Sequence, residues 1–302
     1  MLPFLEVPPI PTGLPWERLS QIHPFGILVA IGVLFGTWLT QRYAKRNQIE
    51  SEDLRWLVWR VVIVGFIASH VLDVLFYQWD DFMADPLLLL KLTDGIASWG
   101  GLVGATAAFF YYVRKKGWNY YRLMDPFAYG FLGAWIFGRL GCSVAHDHIG
   151  KATDFFLAVD IPRVLPDYLG HLRATPGPHH DLGLYEMLYT IPLFLLIFWL
   201  ETRKDRKPGL LFAVAAIFYS GPRFFMDYLR NASSDPRYLG LTFGQISSLV
   251  AFAASLWLLI SCLLYTSPSP RDGETHLVCR LLLEKGGGGG GRGGGGGGGG
   301  GG

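Results

Sequence analysis

Residues 184–200 read LYEMLYTIPLFLLIFWL, an almost unbroken apolar run long enough to cross the hydrocarbon core of a bilayer as a helix. Similar runs lie near residues 24–41, 56–77, 96–113, 124–145, 209–229 and 242–261. Hydrophobic residues make up 51% of the chain and charged residues 17%, a balance typical of a polytopic membrane protein. The sequence therefore predicts an all-α fold of about seven transmembrane helices that lies in a lipid bilayer.

The distribution of basic residues predicts how these helices are oriented. Basic clusters follow the first, third and fifth runs: Arg42, Lys45 and Arg46; Arg114, Lys115 and Lys116; Arg203, Lys204, Arg206 and Lys207. Because such clusters stay on the cytoplasmic side, we expect the N-terminus outside and the C-terminus inside. The net charge is only +2, and basic residues do not form a stripe with interleaved aromatic residues, so a nucleic-acid partner is not expected.

The chain changes character after about residue 261. Residues 262–285 read CLLYTSPSPRDGETHLVCRLLLEK, and almost pure glycine follows to residue 302. The strings CLLYTSPSPRD and LVCRLLLEK resemble translated sequencing adapters, and a disordered Gly-rich linker is the alternative. We expect 1–261 to be a seven-helix transmembrane domain, truncated at its C-terminus, and 262–302 to be an artefactual or disordered tail. Cys142 is then the only cysteine of the natural chain, which excludes a disulfide framework.

Ionisable side chains collect at the predicted outer ends of the helices. They are His23 before the first helix, Arg139, His146, Asp147 and His148 at the end of the fourth, and Tyr219, Arg223 and Asp227 at spacing i, i+4, i+8 in the sixth. Intramembrane ionisable residues are costly unless they pair or serve a function. The pattern predicts a site for a charged headgroup on the outer side.

Arg139 and Arg223 are the candidates for binding a phosphate. A guanidinium group presents a planar fork that matches phosphate oxygens and stays charged at any relevant pH. Asp227 follows Arg223 by four residues and is positioned to hold its guanidinium group. A salt bridge between Asp227 and Arg223 with no further role is the alternative.

The sequence block GRLGCSVAHDHIG at 138–150 resembles the signature of the prolipoprotein diacylglyceryl transferase family, usually written G-R-x-G-N-F-x-N-x-E-x-x-G. Further blocks resemble the family in its order: IHPFG at 22–26, WGGLVG at 99–104, LYEMLY at 184–189, YSGPRFFMDYLR at 219–230 and LTFGQISS at 241–248. The resemblance spans essentially all of residues 1–261. It identifies the chain as a divergent member of this family.

The resemblance implies a specific reaction and location. The family transfers the diacylglyceryl group of phosphatidylglycerol to the lipobox cysteine thiol of prolipoproteins, the first step of bacterial lipoprotein maturation. It acts at the periplasmic face of the inner (cytoplasmic) membrane without a metal or organic cofactor. Its partners are phosphatidylglycerol and the signal-peptide region with the lipobox cysteine. The resemblance and the predicted depth together give these substrate-binding residues: Arg139, Arg223, Tyr219, Asp227, His23, Gly100, Gly101 and Gly150.

The chain also departs from the family pattern. Trp99 stands where the family has a histidine, Phe25 where it has a tyrosine, and Cys142 and Ala145 where it has asparagines. A tryptophan cannot accept a proton from the acceptor thiol. A non-catalytic paralogue that binds anionic phospholipid or the lipoprotein precursor is therefore the alternative to the transferase.

The run His146-Asp147-His148 supplies the catalytic candidates in place of the missing histidine. A thiol must lose its proton to become a nucleophile, and histidine titrates near neutrality. Asp147 between the two rings could fix a tautomer or raise the basicity of either. A metal ion bound by these three residues is not expected, because consecutive side chains rarely converge on one ion.

Overall fold

The computed structural model describes residues 1–13, 21–90, 97–169, 172, 174–203, 206–231 and 237–264. Within these ranges the α-helices are α1 (Pro24–Arg46), α2 (Ser51–Tyr77), α3 (Trp79–Ala84), α4 (Ser98–Lys116), α5 (Tyr120–Ala145), α6 (Leu182–Glu201), α7 (Leu210–Met226) and α8 (Phe243–Leu264). Short 3-10 helices cover Pro86–Leu90, Asp167–Leu169 and Asp227–Leu229. Residues 265–302, which hold most of the predicted tail, lie outside the described residues.

Six of the described helical segments are long and apolar enough to cross a membrane: Pro24–Arg46, Glu52–Tyr77, Tyr120–Ala145, Leu182–Glu201, Leu210–Leu229 and Phe243–Ser261. The predicted helical multi-pass membrane fold is confirmed. The predicted third crossing corresponds to α4, which is not one of these six. Its glycines and tyrosines and its basic C-terminal turn, Arg114 to Lys116, make it less apolar. The seventh crossing and the orientation in the membrane stay predictions.

The helix boundaries follow local sequence signals. Pro24 occupies the first turn of α1, where its missing N–H is not needed. The side chain of Asn119 caps α5 by accepting from the backbone N–H of Arg122 at 3.2 Å. Gly117 adopts a left-handed conformation at φ 68° and ends α4.

Small residues let α1 and α5 approach closely. A Cβ atom at Gly36 would lie 2.6 Å from the carbonyl oxygen of Gly130, and one at Gly32 would lie 2.7 Å from that of Ala134. This approach closes a core shared by α1, α5, α6 and α7. Its buried members are Leu39, Tyr43, Ala128, Tyr129, Leu132, Leu193, Ile197, Leu211 and Ala215.

The segment between α5 and α6, predicted only as a long external loop, forms part of a small sheet. The strands are β1 (Leu2–Pro3), β2 (Ile10–Pro11), β3 (Gln21–Ile22), β4 (Ile149–Ala152), β5 (Val159–Ile161), β6 (Gly177–Asp181), β7 (Arg237–Tyr238) and β8 (Leu241–Thr242). The four-stranded sheet has the order β1-β5-β6-β4, with β1 parallel to β5 and the other pairs antiparallel. Strands β2 and β3 form one antiparallel pair, and β7 and β8 form another. The sheet connects the end of α5, the helix that carries Arg139, to the start of α6.

Candidate active site

A buried carboxylate, Glu186, lies at the centre of the charged cluster. It belongs to the first half of α6 and is 3% exposed. The Nε atom of Arg139, from α5, lies 3.2 Å from its Oε1 atom, and the Nε atom of Arg223, from α7, lies 3.8 Å from its Oε2 atom. The hydroxyl of Tyr219 donates a hydrogen bond to the same carboxylate. Two guanidinium groups from different helices therefore meet on one buried acid.

Glu186 was absent from the residues predicted for the site, although its block LYEMLY carries part of the family resemblance. The signal was an acid inside an otherwise apolar crossing. Such a residue is functional or paired by default, because an isolated charge within a membrane is costly. The structure gives Glu186 both its partners and its position.

Asp227 is the second buried acid of the same cluster. Its carboxylate accepts hydrogen bonds from Arg223, at the predicted i, i+4 spacing, and from the hydroxyl of Thr242. The Nε atom of Arg230 lies 3.3 Å from its Oδ1 atom. Asp227 is itself 2% exposed, so these contacts fix the Arg223 guanidinium group in one orientation.

The ion pairs orient the guanidinium groups of the cluster. Arg139 and Arg223 contact the carboxylate of Glu186, and Arg223 and Arg230 contact that of Asp227. An anion that enters here meets guanidinium groups already oriented by their acids. The arrangement suits a phosphate group better than a neutral ligand.

Arg139 has further contacts along α5. Its guanidinium carbon lies 4.3 Å from the ring centroid of Trp135, whose Nε1–H also donates to Glu186 at 3.3 Å. Its Nη1 atom lies 3.7 Å from the sulfur of Cys142, one turn further along the helix. Arg139 is 5% exposed, so this set of contacts determines where its charge points.

Gly244, at the start of α8, leaves the space that the Asp227 cluster occupies. A Cβ atom there would lie 2.5 Å from Oδ2 of Asp227 and 3.0 Å from Nη2 of Arg223. Any side chain at position 244 therefore displaces one of the two charged groups.

We expect Gly244→Ala to lower the activity of the site at least tenfold, because the methyl group separates Arg223 from Asp227. Overpacking of this kind also costs about 1–3 kcal/mol of stability. The matched control is Gly221→Ala on α7, where a Cβ atom would have no neighbour within 4 Å. Equal activity of the two variants would contradict the tight contact at position 244.

The two candidate histidines point to different places. His146 caps α5 in a left-handed conformation with φ 53°, and its ring stacks on Phe4 with centroids 4.0 Å apart. Its Nε2–H donates to the carbonyl oxygen of Leu5 at 3.0 Å, and the residue is 3% exposed. His148, in contrast, contacts the carboxylate of Asp147 and is partly exposed. His146 therefore holds the N-terminal segment through Phe4 and Leu5. His148 is paired with Asp147 at the surface.

His23, Gly100 and Gly101, also predicted to bind substrate, have surroundings of a different kind. His23 is exposed and precedes α1. A Cβ atom at Gly100 would lie 2.9 Å from the Cβ atom of Leu72, so this glycine packs α4 against α2, and Gly101 lies beside the same helix. The side chain of Trp99 lies outside the described part of the structure. A substrate contact of His23, Gly100 or Gly101 stays a prediction.

Gly150 in β4 has a structural reason to be glycine. It forms a β-bridge with Arg230, and a Cβ atom on it would lie 2.5 Å from the carbonyl oxygen of Leu229. The chain that carries Arg230 can approach β4 only because position 150 has no side chain. The glycine therefore helps to place Arg230, which contacts Asp227.

An apolar cavity of about 610 Å³ lies next to the charged cluster. Its walls are Phe155, Leu157, His180, Tyr185, Leu188, Tyr189 and Leu229. The ring of Tyr189 also lies 5.7 Å from that of Tyr219, so a wall of the cavity packs against the residue that donates to Glu186. Burial lowers the pKa of His180, so its ring is neutral near pH 7 and does not place a charge in the cavity. A cluster of oriented arginines beside an apolar cavity suits an amphiphile with an anionic headgroup.

Comparisons with known proteins agree with this geometry. The family model described as "Prolipoprotein diacylglyceryl transferase" matches residues 16–261. Curated relatives named phosphatidylglycerol–prolipoprotein diacylglyceryl transferase include one from Vibrio campbellii, 30% identical over 81% of this chain and 86% of that protein. Another, from Thermosynechococcus vestitus, is 29% identical over 83% of this chain and 92% of its own. A third, from Vibrio cholerae, is 30% identical over 82% and 89%. The chain therefore belongs to the prolipoprotein diacylglyceryl transferase family.

Proposed function

We propose that this protein transfers the diacylglyceryl group of phosphatidylglycerol to the lipobox cysteine thiol of bacterial prolipoproteins. The observation that carries the proposal is the meeting of Arg139 and Arg223 on the buried carboxylate of Glu186, beside an apolar cavity. Relatives with the same activity in their names support it. The reaction takes place at the periplasmic face of the inner membrane, and residues 1–261 carry the transferase domain.

Phosphatidylglycerol binds with its phosphate at the arginines. Arg139 and Arg223 direct N–H groups at the phosphate oxygens, while Glu186 and Asp227 keep both guanidinium groups in place. The cavity lined by Tyr185 and Tyr189 takes apolar substrate next to the headgroup. In this position the diacylglyceryl group turns its phosphate-bearing carbon toward the acceptor thiol.

The chemical step exchanges one bond for another. The thiolate sulfur attacks the phosphate-bearing carbon of the diacylglyceryl group. The S–C bond of the thioether forms as the C–O bond at that carbon breaks. The electron pair of that bond goes to the phosphate oxygen, and glycerol phosphate leaves. Arg139 and Arg223 stabilise the negative charge that develops on the leaving oxygen, as preorganised donors do in other active sites.

The thiol proton needs an acceptor near the cluster. His148 is the better placed of the two histidines, because it is partly exposed and paired with Asp147. His146 is buried against Phe4 and donates to a backbone carbonyl group. The Asp147–His148 pair is therefore assigned the proton transfer, and His146 a structural role.

We expect His148→Ala to lower the rate of thioether formation by about 10²–10⁴, the usual cost of losing a general base, while lipid binding is retained. His146→Ala is the matched control: it should lower the melting temperature through the lost Phe4 contact but change the rate less. Transfer to a lipobox peptide in detergent measures both variants. A normal rate in His148→Ala would exclude the assignment.

Complementation tests the proposed function in cells. The gene is expressed in a bacterium depleted of its own transferase, and prolipoprotein maturation is followed by the mobility and lipid labelling of a reporter. Restored growth and a diacylglyceryl-modified reporter are expected. Stable, membrane-inserted protein without modification of the reporter would favour the non-catalytic paralogue, the reading suggested by Trp99 and Phe25.

A further inference from the structure

Two cations from different helices share one aromatic ring, that of Trp56 in α2. The guanidinium carbon of Arg60, also in α2, lies 4.1 Å from the ring centroid of Trp56 and 5.6 Å from that of Tyr112. The Nζ atom of Lys116, the last residue of α4, lies 5.1 Å from the same Trp56 centroid. One indole ring therefore holds two positive charges, one from each helix.

The rings beneath these charges form a fixed aromatic platform, which consists of Trp56, Tyr112 and Trp118. The ring centroid of Trp56 lies 5.2 Å from that of Tyr112 and 6.4 Å from that of Trp118, and both pairs are nearly perpendicular. All three rings pack against a hydrophobic core to which α2, α4 and α5 contribute. Arg60 and Lys116 are exposed, so the platform presents both charges at the surface of the helices.

Arg60 lies within the segment Glu52–Tyr77, which is long and apolar enough to cross a membrane. It follows the first residue of this segment by roughly 12 Å along the helix axis, at a rise of about 1.5 Å per residue. Its side chain reaches back to Trp56, one turn nearer the start of the segment, as charged groups near the end of a spanning helix do. The guanidinium group therefore points toward the nearer membrane surface, where the lipid headgroups lie.

Among the residues that the structure describes, no carboxylate pairs with either cation. Glu52 and Asp53, in the first turn of α2, are the nearest acids in the α2 sequence, and neither forms an ion pair with Arg60 or Lys116. The arginines of the active site differ in this respect, because each of them contacts a buried acid. Two like charges at one ring repel each other, so an anion that binds between them stabilises the arrangement.

The platform and the active site lie at opposite ends of α5. Trp118 comes just before this helix, whereas Arg139 lies close to its C-terminal end. The helix rises roughly 28 Å between Tyr120 and Arg139, which is close to the thickness of the hydrocarbon core of a bilayer. A ligand bound by Arg60 and Lys116 is therefore a different molecule from the lipid that reacts at Arg139.

We propose that Arg60 and Lys116, held on Trp56, bind the headgroup phosphate of an anionic phospholipid. Exposed charges at the end of membrane-spanning helices meet lipid headgroups, and basic pockets between such helices bind anionic headgroups. The guanidinium fork of Arg60 matches two phosphate oxygens, and the ammonium group of Lys116 donates to a third. Because an acid does not accompany these two cations, a headgroup with net negative charge binds better than a zwitterionic one, whose ammonium group they repel.

Photo-crosslinking locates this lipid separately from the lipid that reacts. Phosphatidylglycerol with a diazirine on its headgroup glycerol is mixed with the full chain in detergent and irradiated, and the labelled peptides are mapped by mass spectrometry. We expect labelled peptides from residues 52–61 and 111–118. Their labelling should fall at least about tenfold in the double variant Arg60→Gln/Lys116→Gln, since each basic residue near an anionic headgroup contributes about fivefold. The same probe built on phosphatidylethanolamine should label these peptides at least about fivefold less.

Arg203→Gln is the matched control. The guanidinium carbon of Arg203 lies 4.2 Å from the ring centroid of Trp199, so this variant removes a similar contact in which one cation meets one ring. It should leave the labelling of residues 52–61 and 111–118 unchanged. Soluble glycerol phosphate in excess should not compete, because the acyl chains hold the lipid at this surface.

Three results would overturn the proposal. They are equal labelling of the double variant and Arg203→Gln, equal labelling by the two lipid probes, and loss of labelling when glycerol phosphate is added. Labelling that depends on Arg60 and Lys116, in a protein that does not transfer lipid to a lipobox peptide, would support this lipid site and reject the proposed transferase function instead.

Discussion

Glu186→Gln is expected to abolish lipid transfer and to lower the free energy of unfolding by about 3–5 kcal/mol, the cost of removing one partner from a buried ion pair. The glutamine keeps the size of the side chain but removes the charge that faces Arg139 and Arg223. Both guanidinium groups then lack their shared acid: Arg139 loses the carboxylate at 3.2 Å, while Arg223 keeps its contact with Asp227. Unfolding in mixed micelles measures the stability, and transfer to a lipobox peptide measures the activity.

Glu201→Gln is the matched control on the same helix. Glu201 is 5% exposed at the far end of α6 and lies 2.9 Å from Arg46, whose side chain is 43% exposed. We expect a smaller loss of stability, because the pair is partly hydrated, and transfer close to that of the unchanged protein. Transfer retained in Glu186→Gln, or lost equally in both variants, would contradict a specific role for Glu186.

Arg139→Lys and Arg223→Lys are each expected to lower the transfer rate by about 10²–10³, the range for losing one donor to a developing negative charge. Lysine keeps the positive charge but not the planar fork, so it cannot contact Glu186 and a phosphate at once. At position 223 it also loses the contact that the guanidinium group makes with Asp227. Single-turnover transfer at saturating lipid separates this effect from weaker binding.

Arg46→Lys is the control for these variants, because it changes an arginine–glutamate pair at the opposite end of α6. Its transfer rate should stay within about threefold of the unchanged protein, since lysine keeps the charge that faces Glu201 and the pair lies away from Glu186. If the lysine variants at 139 and 223 behave like this control, the arginines supply charge alone. The proposal that each guanidinium group binds the phosphate through two N–H groups would then be wrong.

The sequence was most informative where a single helix carries the pattern. The apolar runs predicted α1, α2, α5, α6, α7 and α8, because spanning helices need long apolar segments whatever they pack against. The spacing of Arg223 and Asp227 predicted their ion pair for the same reason, since residues four apart share a helix face. The conformations of these segments are set locally.

Contacts between distant segments could not be derived in this way. Glu186 meets Arg139 and Arg223 through the packing of three helices, and no spacing within one helix contains that information. His146 and His148 looked equivalent in sequence, yet a left-handed turn at a residue other than glycine sends their rings to different partners. The sheet was missed because its strands are two to five residues long and pair across long separations.

The most direct test is a balanced assay of both products. The purified protein is incubated with phosphatidylglycerol vesicles and a lipobox peptide, and the modified peptide and glycerol phosphate are quantified together by mass spectrometry. The account predicts equal amounts of thioether peptide and glycerol phosphate, with both lost in Glu186→Gln and both retained in Glu201→Gln. Lipid that binds without release of glycerol phosphate, or release that persists in Glu186→Gln, would contradict it.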